Sequence, residues 1–246
     1  EWEAIQRPAI LKKFTDHVYG HMPGKPKDMH FRVLSEDNNA LNGKATRKEV
    51  AIYFTRDEKG PYTIVLMYIP NKSGKVPAVL GLNFQGNHTV QKDREITVTD
   101  SWKKNRGIRD SVVRGAQDRR WPAEEIIDRG FAMVTAYYED FEPDHKDGWK
   151  SGIRKTLRYQ LGIQPHAWGA IGAWAWGLSR IMDYLQTEPG IDGQRVILTG
   201  HSRLGKAALW AGANDLRFYR VVSNNSGEGG AALARRNFGE TVERIN

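Results

Sequence analysis

The run Gly200-His201-Ser202-Arg203-Leu204-Gly205-Lys206 constrains this chain more than any other stretch. It follows the apolar Val196-Ile197-Leu198-Thr199 and precedes an alanine-rich segment, residues 207–213, with helical spacing. Strand, tight glycine-flanked turn and helix are therefore expected in immediate succession. A serine in that setting is lifted clear of the sheet, and the helix N-terminus aims backbone N–H groups at it.

The flanking sequence fits such a unit into a larger sheet. Residues 2–19 space Ile5, Ile10, Leu11, Phe14 and Val18 as a helix would, and Gly20 and Pro23 stop it. Strand-like runs follow at 30–35, 49–55, 62–70 and 76–84, the last nearly all apolar as in a strand buried on both faces. Residues 90–122 are charged and irregular and read as a functional or ordering loop. A short helix at 123–129, a strand at 131–138 and an acidic loop at 139–152 come next. Then come a helix over 167–185, a strand at 195–199, the serine turn, a helix at 204–213 and a strand at 219–224. This order predicts an α/β fold and one domain over residues 1–246, with antiparallel N-terminal strands and a mostly parallel central sheet between helices. The site then lies beyond the carboxyl ends of the strands, where the loops after Phe84, Tyr138, Thr199 and Asn224 converge.

Composition narrows the partners. The 246 residues are 39% hydrophobic and 27% charged, as in a globular domain with a sizeable core. The longest uncharged apolar stretch, about 168–178, is far short of a membrane span, so no membrane partner is expected. The absence of cysteine removes disulfides, thiol nucleophiles and thiolate metal sites. The net charge of +8 suits a polyanion, yet Lys and Arg are interleaved with acids and no reading motif is present, so nucleic acid is not expected either. Eight Trp could stack on sugars or fill the core, and composition leaves both open. His17 and His21 stand four apart, but Gly20 and Pro23 interrupt the helix and no Glu follows His17. No metal or cofactor is expected there.

Ser202 is the leading chemical candidate. A serine hydroxyl is a weak nucleophile until a base takes its proton and donors stabilise the oxyanion it creates. The spacing departs from G-x-S-x-G, because Leu204 stands where the second glycine would be and Gly205 follows one place later. A plain helix-capping serine is the competing reading. Arg203 could add charge-assisted donors to an oxyanion or simply pair with a surface acid. Lys206 lies one helical turn from Ser202 and suits an anionic or hydroxyl-rich substrate. All seven histidines (17, 21, 30, 88, 145, 166 and 201) precede Ser202. His201 is expected to point into the fold, and His88 to be structural or to line the substrate.

Residues 200–212, Gly200-His201-Ser202-Arg203-Leu204-Gly205-Lys206-Ala207-Ala208-Leu209-Trp210-Ala211-Gly212, resemble the nucleophile region of bacterial glucuronoyl esterases, carbohydrate esterase family 15 of the α/β-hydrolase superfamily. The same resemblance extends to His17-Val18-Tyr19-Gly20-His21-Met22-Pro23-Gly24, to Leu82-Asn83-Phe84-Gln85-Gly86-Asn87-His88 and to residues 168–177. The tail matches too, from Ser226-Gly227 through Arg235-Arg236 to Gly239-Glu240-Thr241. It implies a three-layer α/β-hydrolase sandwich that cleaves esters between the 4-O-methyl-glucuronic acid of glucuronoxylan and lignin alcohols, without a cofactor. In that family Ser202 would be the nucleophile and Arg203 the oxyanion stabiliser, with Lys206 and Glu240 contacting the sugar. The triad acid's usual position falls on Asn225, which can orient an imidazole but not stabilise its charge. Glu228 is the alternative, and some members carry the acid further on. The family's histidine lies well downstream of the nucleophile. The resemblance therefore implies a base beyond residue 246, with these residues the N-terminal portion of a longer catalytic domain that lacks its C-terminal strands here. A second chain holding that remainder is the other arrangement. A secreted or periplasmic bacterial protein is implied, although no signal-peptide pattern opens the sequence. The competing functions are another carbohydrate esterase, such as an acetyl xylan esterase, and a non-catalytic carbohydrate-binding relative.

Overall fold

The computed structural model describes residues 1–106, 113–233 and 241. Its strands are β1 (His30–Ala40), β2 (Ala45–Tyr53), β3 (Tyr62–Pro70), β4 (Val76–Asn83), β5 (Ala132–Tyr137), β6 (Ile191–His201) and β7 (Arg220–Asn224). They form one sheet in the order β1-β2-β3-β5-β4-β6-β7. Pairing is antiparallel from β1 through β3 to β5. It is parallel from β5 through β4 and β6 to β7. The register sets Asn83 beside Tyr137 and His201 beside Asn224, so four carboxyl ends finish along one edge.

The helices are α1 (Arg7–Phe14), α2 (Asp100–Arg106), α3 (Ala123–Asp128), α4 (Ile153–Thr156), α5 (Arg158–Leu161), α6 (Ala170–Leu185) and α7 (Arg203–Asn214). Alternate strand residues face opposite sides of a sheet, and two cores result. Val65, Met67, Ala78, Leu80, Val134 and their neighbours pack against α6 and α7. Leu66, Tyr68 and Met133 face the other way, onto Ala123 and Ile127 of α3 and onto Val90 and Ile96. Helices thus cover both faces, giving the three-layer α/β-hydrolase sandwich. Helix α6 is buried along nearly its whole length, and its charged residues pair with each other, Arg180 Nε donating to Asp183 at 2.7 Å. Trp102, Trp168, Trp174, Trp176 and Trp210 are buried, so most of the tryptophans are core.

Three segments differ from the sequence reading. Strand β1 runs on to Ala40 because its polar end, residues 36–39, lies at the sheet edge, where both faces meet water; two register shifts interrupt its pairing. The charged insert contributes more to the interior than its pattern suggests, with Val90, Ile96 and Trp102 buried. Arg114 Nη1 donates to the carbonyl oxygens of Asp93 and Ile96, each at 2.9 Å.

The third is the acidic loop, which turns inward. Glu142 is buried and accepts from Arg154 Nε at 2.6 Å, while Arg154 Nη1 donates to the Trp168 carbonyl at 2.7 Å. Trp174 Nε1 closes the arrangement by donating to the Glu142 carbonyl at 3.0 Å. Burial pushes the Glu142 carboxyl up despite the pull of Arg154. Arg154→Ala should therefore destabilise the protein by about 3–5 kcal/mol, because it strands a buried carboxylate. Urea unfolding of the variant beside wild type measures this.

Asp140 ties α2 to the end of β5. It accepts from Thr63 Oγ1 at 3.0 Å and from Ser101 Oγ. Burial dominates those hydrogen bonds and pushes its carboxyl up to about 6, from 3.8. A carboxyl whose folded value is raised favours the folded state most below pH ~4, and that contribution is lost as pH rises through ~6. Asp140→Asn should flatten the stability profile between these limits. Melting curves from pH 4 to 7 check the slope.

Candidate active site

Strand β6 ends at His201 and α7 begins at Arg203, leaving Ser202 to make the whole reversal. Its φ of 55° and ψ of −127° lie in a region that L-residues rarely occupy. The Ser202 N–H donates to the Asn224 carbonyl at 2.9 Å, which pins the turn to the end of β7. The two glycines explain the irregular spacing. A Cβ on Gly200 would sit 2.1 Å from the Leu204 carbonyl oxygen, so the strand must be bare there. Gly205 passes beneath the loop after β7, where a Cβ would meet Ser226 Cβ at 3.1 Å and the Asn224 carbonyl at 3.2 Å. Leu204, facing the core, is buried. The close approach falls one residue later than G-x-S-x-G, and the glycine moves with it.

Arg203 reaches back to the loop after β5. Its Nη1 donates to both carboxylate oxygens of Asp144, at 2.6 and 2.8 Å. Asp144 also accepts from the Tyr138 hydroxyl at 3.1 Å, and its own N–H donates to Glu139 at 3.2 Å. Tyr137 donates to the other oxygen of Glu139. Burial, with Asp144 and Glu139 alongside, pushes the Tyr138 phenol far up, so it remains a donor. The pairing of Arg203 with an acid is thus seen, and it fixes the guanidinium at the loop after β5. Tyr138, Glu139 and Asp144 were not singled out by sequence, because the contact spans 59 positions.

The other candidates divide. Lys206, on the same first turn, is only 2% exposed, and its Nζ lies next to Gly227, not at an open mouth. That loop is anchored by the Tyr19 hydroxyl on the Gly229 carbonyl, at 2.6 Å, and by the Ala231 N–H on Ser226 Oγ, at 2.8 Å. Asn225 follows β7 with φ 46°, and Glu228 is partly exposed on the same loop. Glu240 lies outside the described residues. His88 is fully buried and packs edge-on against Trp102, a structural place. His201 is exposed, contrary to the expected inward orientation, because it shares the half-exposed face of Ile197 and Thr199; its Nδ1 meets Asn224 Nδ2 at 3.3 Å. Among the described residues, no histidine hydrogen-bonds to Ser202.

A cavity of about 640 Å³ opens at this end of the sheet. Asn83, Phe84 and Gln85 line one side, Arg120 and Trp121 another, and Gly200, His201 and Asn224 the rim by the serine turn. The loops after β4, β6 and β7 meet at it, and Arg203 brings in the loop after β5.

The family model described as glucuronyl esterase, fungi, matches residues 119–244, half of the chain and all of the serine turn. The chain belongs to the glucuronoyl esterases, carbohydrate esterase family 15. It is similar along its whole length to carbohydrate esterase MZ0003 of an unknown prokaryotic organism, with 42% identity over 256 residues, covering 59% of that protein. A glucuronoyl esterase from Solibacter usitatus superposes with a TM-score of 0.88 at 44% identity, over 97% of this chain and 62% of that one. A promiscuous CE15 esterase from the marine bacterial metagenome superposes at 0.85 and 41% identity, over 99% of this chain and 63% of that one. The chain thus spans about three-fifths of the length of these relatives. Among the described residues, no helix is long and apolar enough to cross a membrane.

Proposed function

We propose that the full protein hydrolyses esters of 4-O-methyl-glucuronic acid on glucuronoxylan through an acyl-enzyme on Ser202. The observation that carries the reading is the strained Ser202 turn with Arg203 locked beside it by Asp144. Ser202 Oγ adds to the ester carbonyl and yields its proton to a base. The carbonyl oxygen becomes an oxyanion that the Arg203 guanidinium and the first-turn N–H groups of α7 are suited to hold. The lignin alcohol leaves with a proton, and water then releases the uronate from the serine. Since no histidine among the described residues bonds to Ser202, the base is assigned to the two-fifths of the relatives' length that the chain does not cover, whether continuous with it or on a second chain. Glu228 or Asn225 then orients that imidazole, with Glu228 favoured by its charge. Glu240 is assigned to the sugar hydroxyls, whereas Lys206, buried beside Gly227, is assigned to support of the loop after β7. An insoluble polymeric substrate fits a secreted or periplasmic enzyme.

The test compares benzyl glucuronate with acetylated xylan in the full-length protein. Turnover of the glucuronate ester is expected. Turnover of the acetyl ester alone would assign the site to another carbohydrate esterase, and turnover of neither would make it a binding relative.

A further inference from the structure

Half of the chain's net positive charge comes from residues 145–166, where five Lys or Arg stand against the single acid Asp147. Two of the five are paired, Arg154 internally with Glu142 and Lys150 with Asp147 at 2.8 Å. Lys155 and Arg158 face no acid among the described ion pairs, and they stand at aromatic rings instead. Lys155 Nζ lies 5.7 Å from the centre of the Trp149 indole. Arg158 stacks on Tyr159 at 4.1 Å, donates to its hydroxyl at 2.8 Å and donates to the Lys155 carbonyl at 2.9 Å. Tyr159 is 80% exposed, so the ring face away from Arg158 is open to solvent.

The patch adjoins a built hollow. His166 meets the Trp149 ring edge-on at 4.7 Å and also lines a cavity of about 540 Å³ with Asp16, His17, His21 and Trp168. The wall of that cavity is fixed by close backbone contact: Gly20 bridges Trp168, and a Cβ on Gly20 would lie 2.2 Å from the Ala167 carbonyl. His17 and His21, four apart in sequence, share this one hollow with a third imidazole and a carboxylate.

From this juxtaposition we propose a second, non-catalytic binding groove for a uronate-bearing polysaccharide, running from the histidine-lined hollow across Trp149 to Lys155, Arg158 and Tyr159. Sugar rings present apolar C–H faces to aromatic rings and hydroxyls to imidazole and carboxylate groups. Uronate carboxylates pair with Lys and Arg. An uncharged lignin fragment would leave the cations unused. The choice of polymer rests on the function proposed above; the groove itself uses no residue assigned to catalysis.

The experiment uses the full-length protein carrying Ser202→Ala, which separates binding from turnover. Affinity electrophoresis through gels containing glucuronoxylan should show retardation that Lys155→Glu/Arg158→Glu weakens about tenfold or more. Carboxyl-reduced xylan should retard the protein far less, and added salt should weaken binding. Trp149→Ala should weaken binding to both polymers. In the Ser202 background, the double charge reversal should leave benzyl glucuronate turnover and the melting temperature unchanged. Undiminished retardation of the charge-reversed variant, or equal retardation by the reduced polymer, overturns the proposal. So does equally tight capture by DNA and heparin, which would mark a generic cation patch. If wild type binds glucuronoxylan through these residues yet hydrolyses no glucuronate ester, the esterase reading fails and the groove stands.

Discussion

Ser202→Ala in the full-length protein should abolish hydrolysis of benzyl glucuronate, a loss of roughly ten-thousand-fold or more, and leave the melting temperature nearly unchanged. The two halves of that expectation separate catalysis from capping. A serine that serves as a helix cap would cost about 0.5–2 kcal/mol on replacement by alanine. The Ser202 side chain makes no capping hydrogen bond to α7, so its hydroxyl contributes little there. What holds the turn is backbone, through the Ser202 N–H on Asn224 and the glycine approaches at 200 and 205, and alanine preserves all of it. An unfavourable φ of 55° on a residue whose hydroxyl does nothing for the helix is strain that a nucleophile's exposure would account for.

Arg203→Ala should lower kcat by about a hundred- to a thousandfold, in line with removal of one oxyanion donor. Arg203→Lys should recover only part, because an ammonium supplies charge without the planar fork that Asp144 grips. Asp144→Ala extends the argument to a residue that touches no substrate. Without Asp144 the guanidinium loses its anchor, so kcat should fall about tenfold to a hundredfold with KM little changed. If the pair were only a structural ion pair, the folded fraction of both variants would keep wild-type kcat and only stability would drop. Steady-state rates on benzyl glucuronate, normalised to folded protein, decide between these.

Much of this site was legible because its signals are local. The apolar run before Gly200, the turn and the alanine-rich helix sit within 20 residues, and each strand of the parallel half announces itself by apolar content. The unread parts are contacts between distant residues or polar groups turned inward. Asp144 is one acid among several in a stretch that reads as solvated loop, and only the fold sets it against Arg203. Glu139 and Glu142 look like surface charges until tyrosines and Arg154 enclose them. His201 points outward by the strand's own alternation, on the half-exposed face of Ile197 and Thr199 and opposite the buried Val196 and Leu198. The basic segment at 145–166 was diluted by averaging over the chain, and its aromatic neighbours emerge only where short helices fold it back on itself.

The most direct measurement is active-site labelling of the full-length protein with a phosphonate analogue of the glucuronate ester, followed by peptide mapping. Stoichiometric inactivation with the adduct on Ser202 is expected, slowed in the Arg203→Ala variant. Complete inactivation with the adduct on another residue, or glucuronate ester hydrolysis that persists in Ser202→Ala, would contradict this expectation.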